Sequence, residues 1–192
     1  MPHHKHNFAE TVELYAKRIS SNDIDALSGL YDVTSQRLLR FAVSLTGNQH
    51  DGEDAVQSAL TKVATNPNRL NQVDQAWPYL LRMTRNEALN IIRKRKRLSF
   101  APNLSDITTL GSSNRLADQE SNQAIWNVLI SLPARQSEVV VLKIWEEMTF
   151  SEIAGVLEIS TATVASRYRY AMDKLFQQLS PQQKTGEIDV TP

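Results

Sequence analysis

Two capped helix starts separated by one short turn constrain this chain more than any other feature. Thr149 precedes Glu152 by three residues. That is the spacing of a capping box, in which a hydroxyl and a carboxylate accept hydrogen bonds from N–H groups that a helix start leaves bare. Ile153, Ala154, Val156 and Leu157 give this helix a short apolar face. Ser160 can cap a second helix, in which Val164, Tyr168, Ala171, Met172 and Leu175 recur at helical spacing. Two capped helices with about three residues between them form a helix-turn-helix. The second helix would then present its polar first turn to a DNA groove. Amphipathic helix pairs also occur in all-α proteins that never touch DNA, so the motif alone leaves both readings open.

The rest of the chain is also written in helical periods. Phe8 to Ile19 predicts a short amphipathic helix through Val12, Leu14, Tyr15 and Ile19, preceded by a disordered tip carrying His3, His4 and His6. From Ile24, the residues Leu27, Leu30, Tyr31, Leu38, Phe41, Ala42 and Leu45 follow a one-sided helical pattern that stops at Gly47-Asn48. A helix from about Asp51 to Ala64 has acids in its first turn, where they complement the dipole, and Ala55, Val56, Ala59, Leu60 and Val63 inside. Asn66-Pro67-Asn68 ends it, and Arg69 to Gln75 connects to the next helix. Trp77-Pro78 opens that helix, since proline is tolerated in a first turn. Leu80, Leu81, Thr84, Ala88, Ile91 and Ile92 line its inner side, and Trp77 is read as core.

Residues 99–121 lose this periodicity and fill with Ser, Thr, Asn and Asp around Pro102 and Gly111, the composition of a mobile linker. Beyond it, Ile125, Trp126, Val128 and Leu129 predict a short helix ending at Leu132-Pro133. Another runs from Ala134 to Glu147, with Val139, Val140, Leu142, Ile144 and Trp145 inside. The expected fold is therefore all-α: two small helical domains joined by a flexible linker. The boundaries are an N-terminal extension (1–23), a first domain (24–98), the linker (99–121), a second domain (122–180) and a tail (181–192).

Charge is neutral overall, with 21 basic and 21 acidic residues, but unevenly placed. Arg82, Arg85, Arg93, Lys94, Arg95, Lys96 and Arg97 face one acid, Glu87, within residues 81–100. Cations suit a helix C-terminus, yet five in succession exceed what capping requires and suggest a polyanion surface. Cysteine is absent, which excludes disulfides and thiolate metal sites and suits a reducing cytoplasm. No apolar run approaches the roughly 20 residues of a membrane span, and no signal peptide is expected.

The run Leu132-Pro133-Ala134-Arg135-Gln136 through Val139, followed by Thr149 to Leu175, resembles region 4 of bacterial sigma factors. The N-terminal half resembles region 2 of their extracytoplasmic-function (ECF) group. The matching residues are Leu30-Tyr31, Arg37, Asp51 to Gln57, Trp77 to Leu80 and Arg85 to Asn90. The likeness covers residues 27–97 and 125–178 in the family's order.

This resemblance implies a factor that binds core RNA polymerase, recognises a bipartite promoter, melts it and starts transcription, without catalytic residues, cofactor or metal. It would be cytoplasmic, and nucleoid-associated when bound to polymerase. Asp51, Glu53, Asp54 and Gln57 would face the clamp helices of the largest polymerase subunit, and the flap would be a further contact. Asn68, Asn71 and Gln72 would hold an unstacked base of the downstream element, since unstacking costs a few kcal/mol that a pocket must offset. Arg82, Arg85, Asn86 and Asn90 would act where the strands separate, and Arg93, Lys94, Arg95, Lys96 and Arg97 would add phosphate contacts. Ser160, Thr161, Thr163, Ser166, Arg167 and Arg169 would meet the upstream element. An anti-sigma factor is a further implied partner.

Two positions depart from the family pattern, and the run Arg167-Tyr168-Arg169-Tyr170 is more aromatic than is usual in it. Glu158 stands in the turn where Gly is frequent, and Ala165 stands where a Lys commonly follows the Thr-Val pair. Two other readings remain at this point. One is a stand-alone helix-turn-helix regulator that binds DNA without polymerase. The other is a metal-dependent hydrolase using His50, Glu53 and Asp54, for which no second ligand group converges from elsewhere.

Overall fold

A computed structural model of the chain describes residues 3–21, 23, 25–99 and 120–179. Every regular element among them is a helix. The first half contains α1 (His3–Ser20), α2 (Asp25–Thr46), α3 (Gln49–Thr65), a 3-10 turn (Pro67–Gln72) and α4 (Ala76–Ser99). The second contains α5 (Glu120–Ser131), α6 (Ala134–Ile144), α7 (Phe150–Leu157) and α8 (Thr161–Leu179).

α2 is the helix on which the others assemble. Its apolar stripe of Leu30, Leu38, Phe41, Ala42 and Leu45 is buried as the periodicity predicts, and it packs against α1, α3, α4 and α6. Tyr31 departs from that stripe and is 55% exposed. α3 starts just after α2 ends, with Asn48 as its cap: the Asn48 side chain accepts from the Asp51 N–H at 3.0 Å. Gly52 lies where the two helices approach closely. A Cβ there would come within 2.6 Å of Val43 Cγ2.

Three boundaries differ from the sequence reading. α1 begins at His3, not Phe8, so the backbone expected to be a disordered tip is helical; the side chains of residues 3–7 lie outside the described residues. α1 also buries Val12, Ala16 and Ile19 in the bundle. The connection before α4 is not plain coil, because Leu70 of the 3-10 turn is buried and the Ser20 hydroxyl donates to the Pro67 carbonyl. α6 stops at Ile144, three residues short of the expected Glu147. There Glu147 takes the left-handed conformation (φ 52°) and the Met148 N–H donates to the Leu142 carbonyl at 3.1 Å. This turn carries Ile144 outward, to 46% exposure, rather than inside. Trp77 is core as read, with its ring edge-on to Phe8.

In the helix-turn-helix both capping-box bonds of Thr149 and Glu152 are present. α7 ends at Glu158, a left-handed residue (φ 56°, ψ 46°), and the Ile159 N–H closes the turn on the Ala154 carbonyl. The Ser160 hydroxyl accepts from the Thr163 N–H at 3.1 Å and so caps α8. Val164, Ala171 and Leu175 are buried, whereas Met172, expected among them, is exposed. The two halves also pack on each other, α6 against α2 and α7 against α4, so that one apolar cluster runs through both. Of the expected linker, 99–121, residues 100–119 lie outside the described residues, as does the tail from residue 180, while Ser99 ends α4 and residues 120 and 121 begin α5.

Candidate nucleic-acid interface

α4 buries Leu80, Leu81, Thr84 and Ala88 and turns its polar residues away from that stripe. Asn86 and Asn90 are exposed, and the basic run from Arg93 to Arg97 is open to solvent along the last turns. Two local bonds order this end: Arg93 donates to the Asn90 side-chain oxygen at 3.0 Å, and Arg95 reaches Asp51 at 3.3 Å. Asn71 and Gln72 are exposed on the 3-10 turn ahead of the helix, and Asn68 beside them is on the same turn. In the second half, exposed Ser160 and Thr161 lie at the start of α8 with half-buried Thr163, and exposed Arg169 follows about two turns further along the helix. Ser166 donates to the Ala162 carbonyl, and the Arg169 guanidinium lies over the Tyr170 ring at 5.2 Å.

The remaining arginines of the expected interface are not free. Glu138 of α6 is 1% exposed and accepts from Arg85 Nε at 2.8 Å and from Arg167 Nη1 at 3.1 Å. One carboxylate thereby joins a cation of α4 to a cation of α8. Arg82 meets Glu158 at 3.5 Å near the surface. Just beyond the other end of α6 a second buried acid, Glu146, accepts from Arg37 of α2 at 3.2 Å. Burial pushes the Glu146 carboxyl above its ordinary range, against the opposing pull of Arg37, Arg40 and a hydrogen bond with Trp77. Burial draws the Arg40 guanidinium below its usual value, and Glu146 opposes that shift.

Sequence reasoning misses both Glu138 and Glu146. The available signal is Glu138's position beside the apolar run Val139 to Leu142. A carboxylate on the inner side of such a helix requires a charged partner from another element.

A separate surface lies between α2 and α3. It is a groove of about 810 Å³ with Leu27, Tyr31, Leu39, Val56 and Leu60 among its apolar lining and Glu53 and Gln57 on its wall. Asp54 is exposed beside them. Asp51, expected on the same face, is half-buried and turned towards Arg95, so it sits where the acidic face meets the basic helix end. His50 Nδ1 is 3.7 Å from Glu53, but among the described residues no three His, Cys, Asp or Glu side chains are grouped to hold a metal ion. Among the same residues no helix is long and apolar enough to cross a membrane.

These features define a bipartite all-α factor, with a basic helix in one unit and a helix-turn-helix in the other. Family models agree on both units: sigma-70 region 2 matches residues 30–98 and sigma-70, region 4 matches residues 122–175. The chain belongs to the sigma-70 family of RNA polymerase sigma factors, in its ECF group. It is similar to the RNA polymerase sigma-E factor of Streptomyces avermitilis, at 31% identity over 144 residues, covering 74% of this chain and 78% of that one. The ECF RNA polymerase sigma factor SigW of Bacillus subtilis is 24% identical over 177 residues, covering 85% and 94%. Among solved structures, the fold matches the sigma factor RpoE of Bartonella quintana, crystallised with the anti-sigma factor NepR. That match has a TM-score of 0.60 at 23% identity and covers 80% of this chain and 99% of that one. The function is thus that of a promoter-directing sigma factor, and the stand-alone regulator is not favoured.

Proposed function

We propose that this sigma factor docks on core RNA polymerase through its α2–α3 face and reads a bipartite promoter with α4 and α8. The observation that carries this division is the separation of surfaces. Glu53 and Gln57 line an apolar groove, with exposed Asp54 next to Glu53 in α3, whereas five consecutive cations lie in the last turns of α4 and hydroxyls begin α8, with Arg169 about two turns on. An apolar groove with a polar rim suits a protein partner. A cationic helix end suits phosphates.

In this reading Asn68, Asn71 and Gln72 receive a flipped base of the downstream element. Arg82, Arg85, Asn86 and Asn90 hold the separated strand, and Arg93 to Arg97 add phosphate contacts. Ser160, Thr161, Thr163, Ser166, Arg167 and Arg169 engage the upstream element. The factor has no active site of its own, and polymerase performs the chemistry. It acts in the bacterial cytoplasm, on the nucleoid when bound to polymerase. An anti-sigma protein is a further partner in this reading, by likeness to the Bartonella factor crystallised with one.

The test is transcription by sigma-free core polymerase supplemented with this protein on genomic templates. Specific transcripts are expected, and their complete absence would refute the reading. Glu53→Ala with Asp54→Ala should weaken core binding by roughly three- to tenfold, the scale of about 1 kcal/mol for exposed charged contacts, without changing helical content. Unchanged affinity would move the docking surface elsewhere.

A further inference from the structure

We infer that α1 positions the base-capturing turn: Ser20 holds its entry at Pro67, Leu70 sits in the bundle beside α1, and Glu13 holds its exit at Ala76. Asn68, Asn71 and Gln72 thereby stand on a fixed backbone. The inference rests on the reading in which that turn receives a flipped base.

The turn has little to hold it from within. Pro67–Gln72 is six residues of 3-10 helix, whose hydrogen-bond geometry is poor and whose runs rarely exceed about four residues. Pro67 has no N–H to donate, and Asn66 supplies no side-chain cap. Support has to come from another element, and α1 packs on the turn. Leu70 is buried in the same apolar cluster as Val12, Ala16 and Ile19 of α1. The Ser20 hydroxyl donates to the Ala16 carbonyl of its own helix at 2.9 Å and to the Pro67 carbonyl at 3.2 Å. One proton shared between two acceptors makes the Pro67 bond the lighter hold. At the exit, the Glu13 carboxylate accepts from the Ala76 N–H. That N–H is one of those a helix start leaves bare, and a carboxylate acceptor makes the bond charge-assisted. Phe8 stands edge-on to the next residue, Trp77, at 4.9 Å. α1 thus engages the entry, the middle and the exit.

The anchors act on backbone and leave the polar side chains outward. Asn68, Arg69, Asn71 and Gln72 are all exposed. A base taken from its stack loses stacking and pairing that the receiving groups must offset, and ordering a loop on binding would subtract from that gain. α1 orders the turn before DNA arrives. It lies wholly ahead of residue 30, where the region 2 match begins, so that match assigns it no part. Glu13 and Ser20 act through the turn and are positioning residues.

The test reads base preference. Core polymerase supplemented with the full chain transcribes a library of genomic fragments, and sequencing of transcript 5′ ends gives the preference at each promoter position. Glu13→Ala with Ser20→Ala should lower discrimination at one downstream position roughly fivefold, the lower end of what one well-placed side chain gives at a base. Upstream preference and core affinity should not change. Glu13→Gln, which keeps an acceptor oxygen, should retain most of the discrimination. Where the double variant loses helical content, Glu13→Ala alone decides. A downstream preference that is unchanged, or that falls in step with the upstream one, overturns the inference.

A second measurement needs no DNA. Amide hydrogen exchange from Asn68 to Ala76 should quicken about tenfold in the same variant while α3 keeps its protection; equal exchange overturns the inference. Asn71→Ala with Gln72→Ala should erase the same downstream preference without faster exchange. If that pair erases nothing, base capture by the turn fails and the inference with it. Failure of the sigma reading looks different: the parent protein gives no specific transcripts, while exchange still reports the anchoring.

Discussion

Glu158 occupies a backbone position that suits glycine. Its φ of 56° and ψ of 46° lie in the left-handed region, which costs an ordinary L-residue about 1–2 kcal/mol. Its pair with Arg82 is well exposed on both sides and returns little of that. Glu158→Gly should therefore stabilise the helix-turn-helix by about 1 kcal/mol in a thermal melt; a lower midpoint would show that the side chain contributes more than its geometry costs. The strain is legible in the sequence itself, as a Glu in a turn that favours Gly.

Glu146 is not legible in that way, because its environment is assembled by other elements. Arg37 and Arg40 of α2, Trp77 of α4 and the neighbouring Glu147 surround it, and burial outweighs the cations so that its carboxyl titrates above the ordinary range. Between the ordinary value and the raised one the folded state binds more protons than the unfolded state. This group's contribution to stability therefore falls as pH rises through that window and is regained as pH falls. Glu146→Gln should flatten that limb in urea melts taken across a pH series. A slope equal to that of the parent protein would assign the effect to another group.

At the scale of elements, helix starts are more legible than helix ends. Thr149 and Ser160 cap α7 and α8 as their spacing requires, because a cap involves residues only three apart. Thr149→Ala removes one capping-box acceptor and should cost about 1 kcal/mol, measured as a loss of stability in denaturant. The end of α6 is hidden because Glu147 and Met148 continue an ordinary polar–apolar pattern, and only the backbone reversal at Glu147 stops the helix.

Gly52 carries information of both kinds. Its place within the acidic motif is visible in the sequence, but its physical reason is the approach of α3 to Val43 of α2. Gly52→Ala should destabilise the first half by about 1–3 kcal/mol, the usual cost of overpacking. A neutral result would mean that Val43 rotates away at no cost.

For the whole molecule, local patterns predict two helical units and say nothing of how they meet. Because α6 packs on α2 and α7 on α4, the halves should unfold together in calorimetry. Arg37→Gln with Arg85→Gln should split that transition into two, since it removes the ion pairs that buried Glu146 and Glu138 make across the contact. A single transition in the double variant would show that apolar packing alone couples the halves.

The helices, most of their caps, the apolar stripes and the basic end of α4 are all specified by local sequence. They follow from interactions within one or two turns of chain, where spacing decides which side chains meet. The tie of Arg85 to Glu138, 53 residues away, and of Arg37 to Glu146, 109 residues away, belongs to tertiary packing instead. No local period encodes such pairs. They exist because packing α6 and α7 on α2 and α4 excludes water from charges that must then find one another.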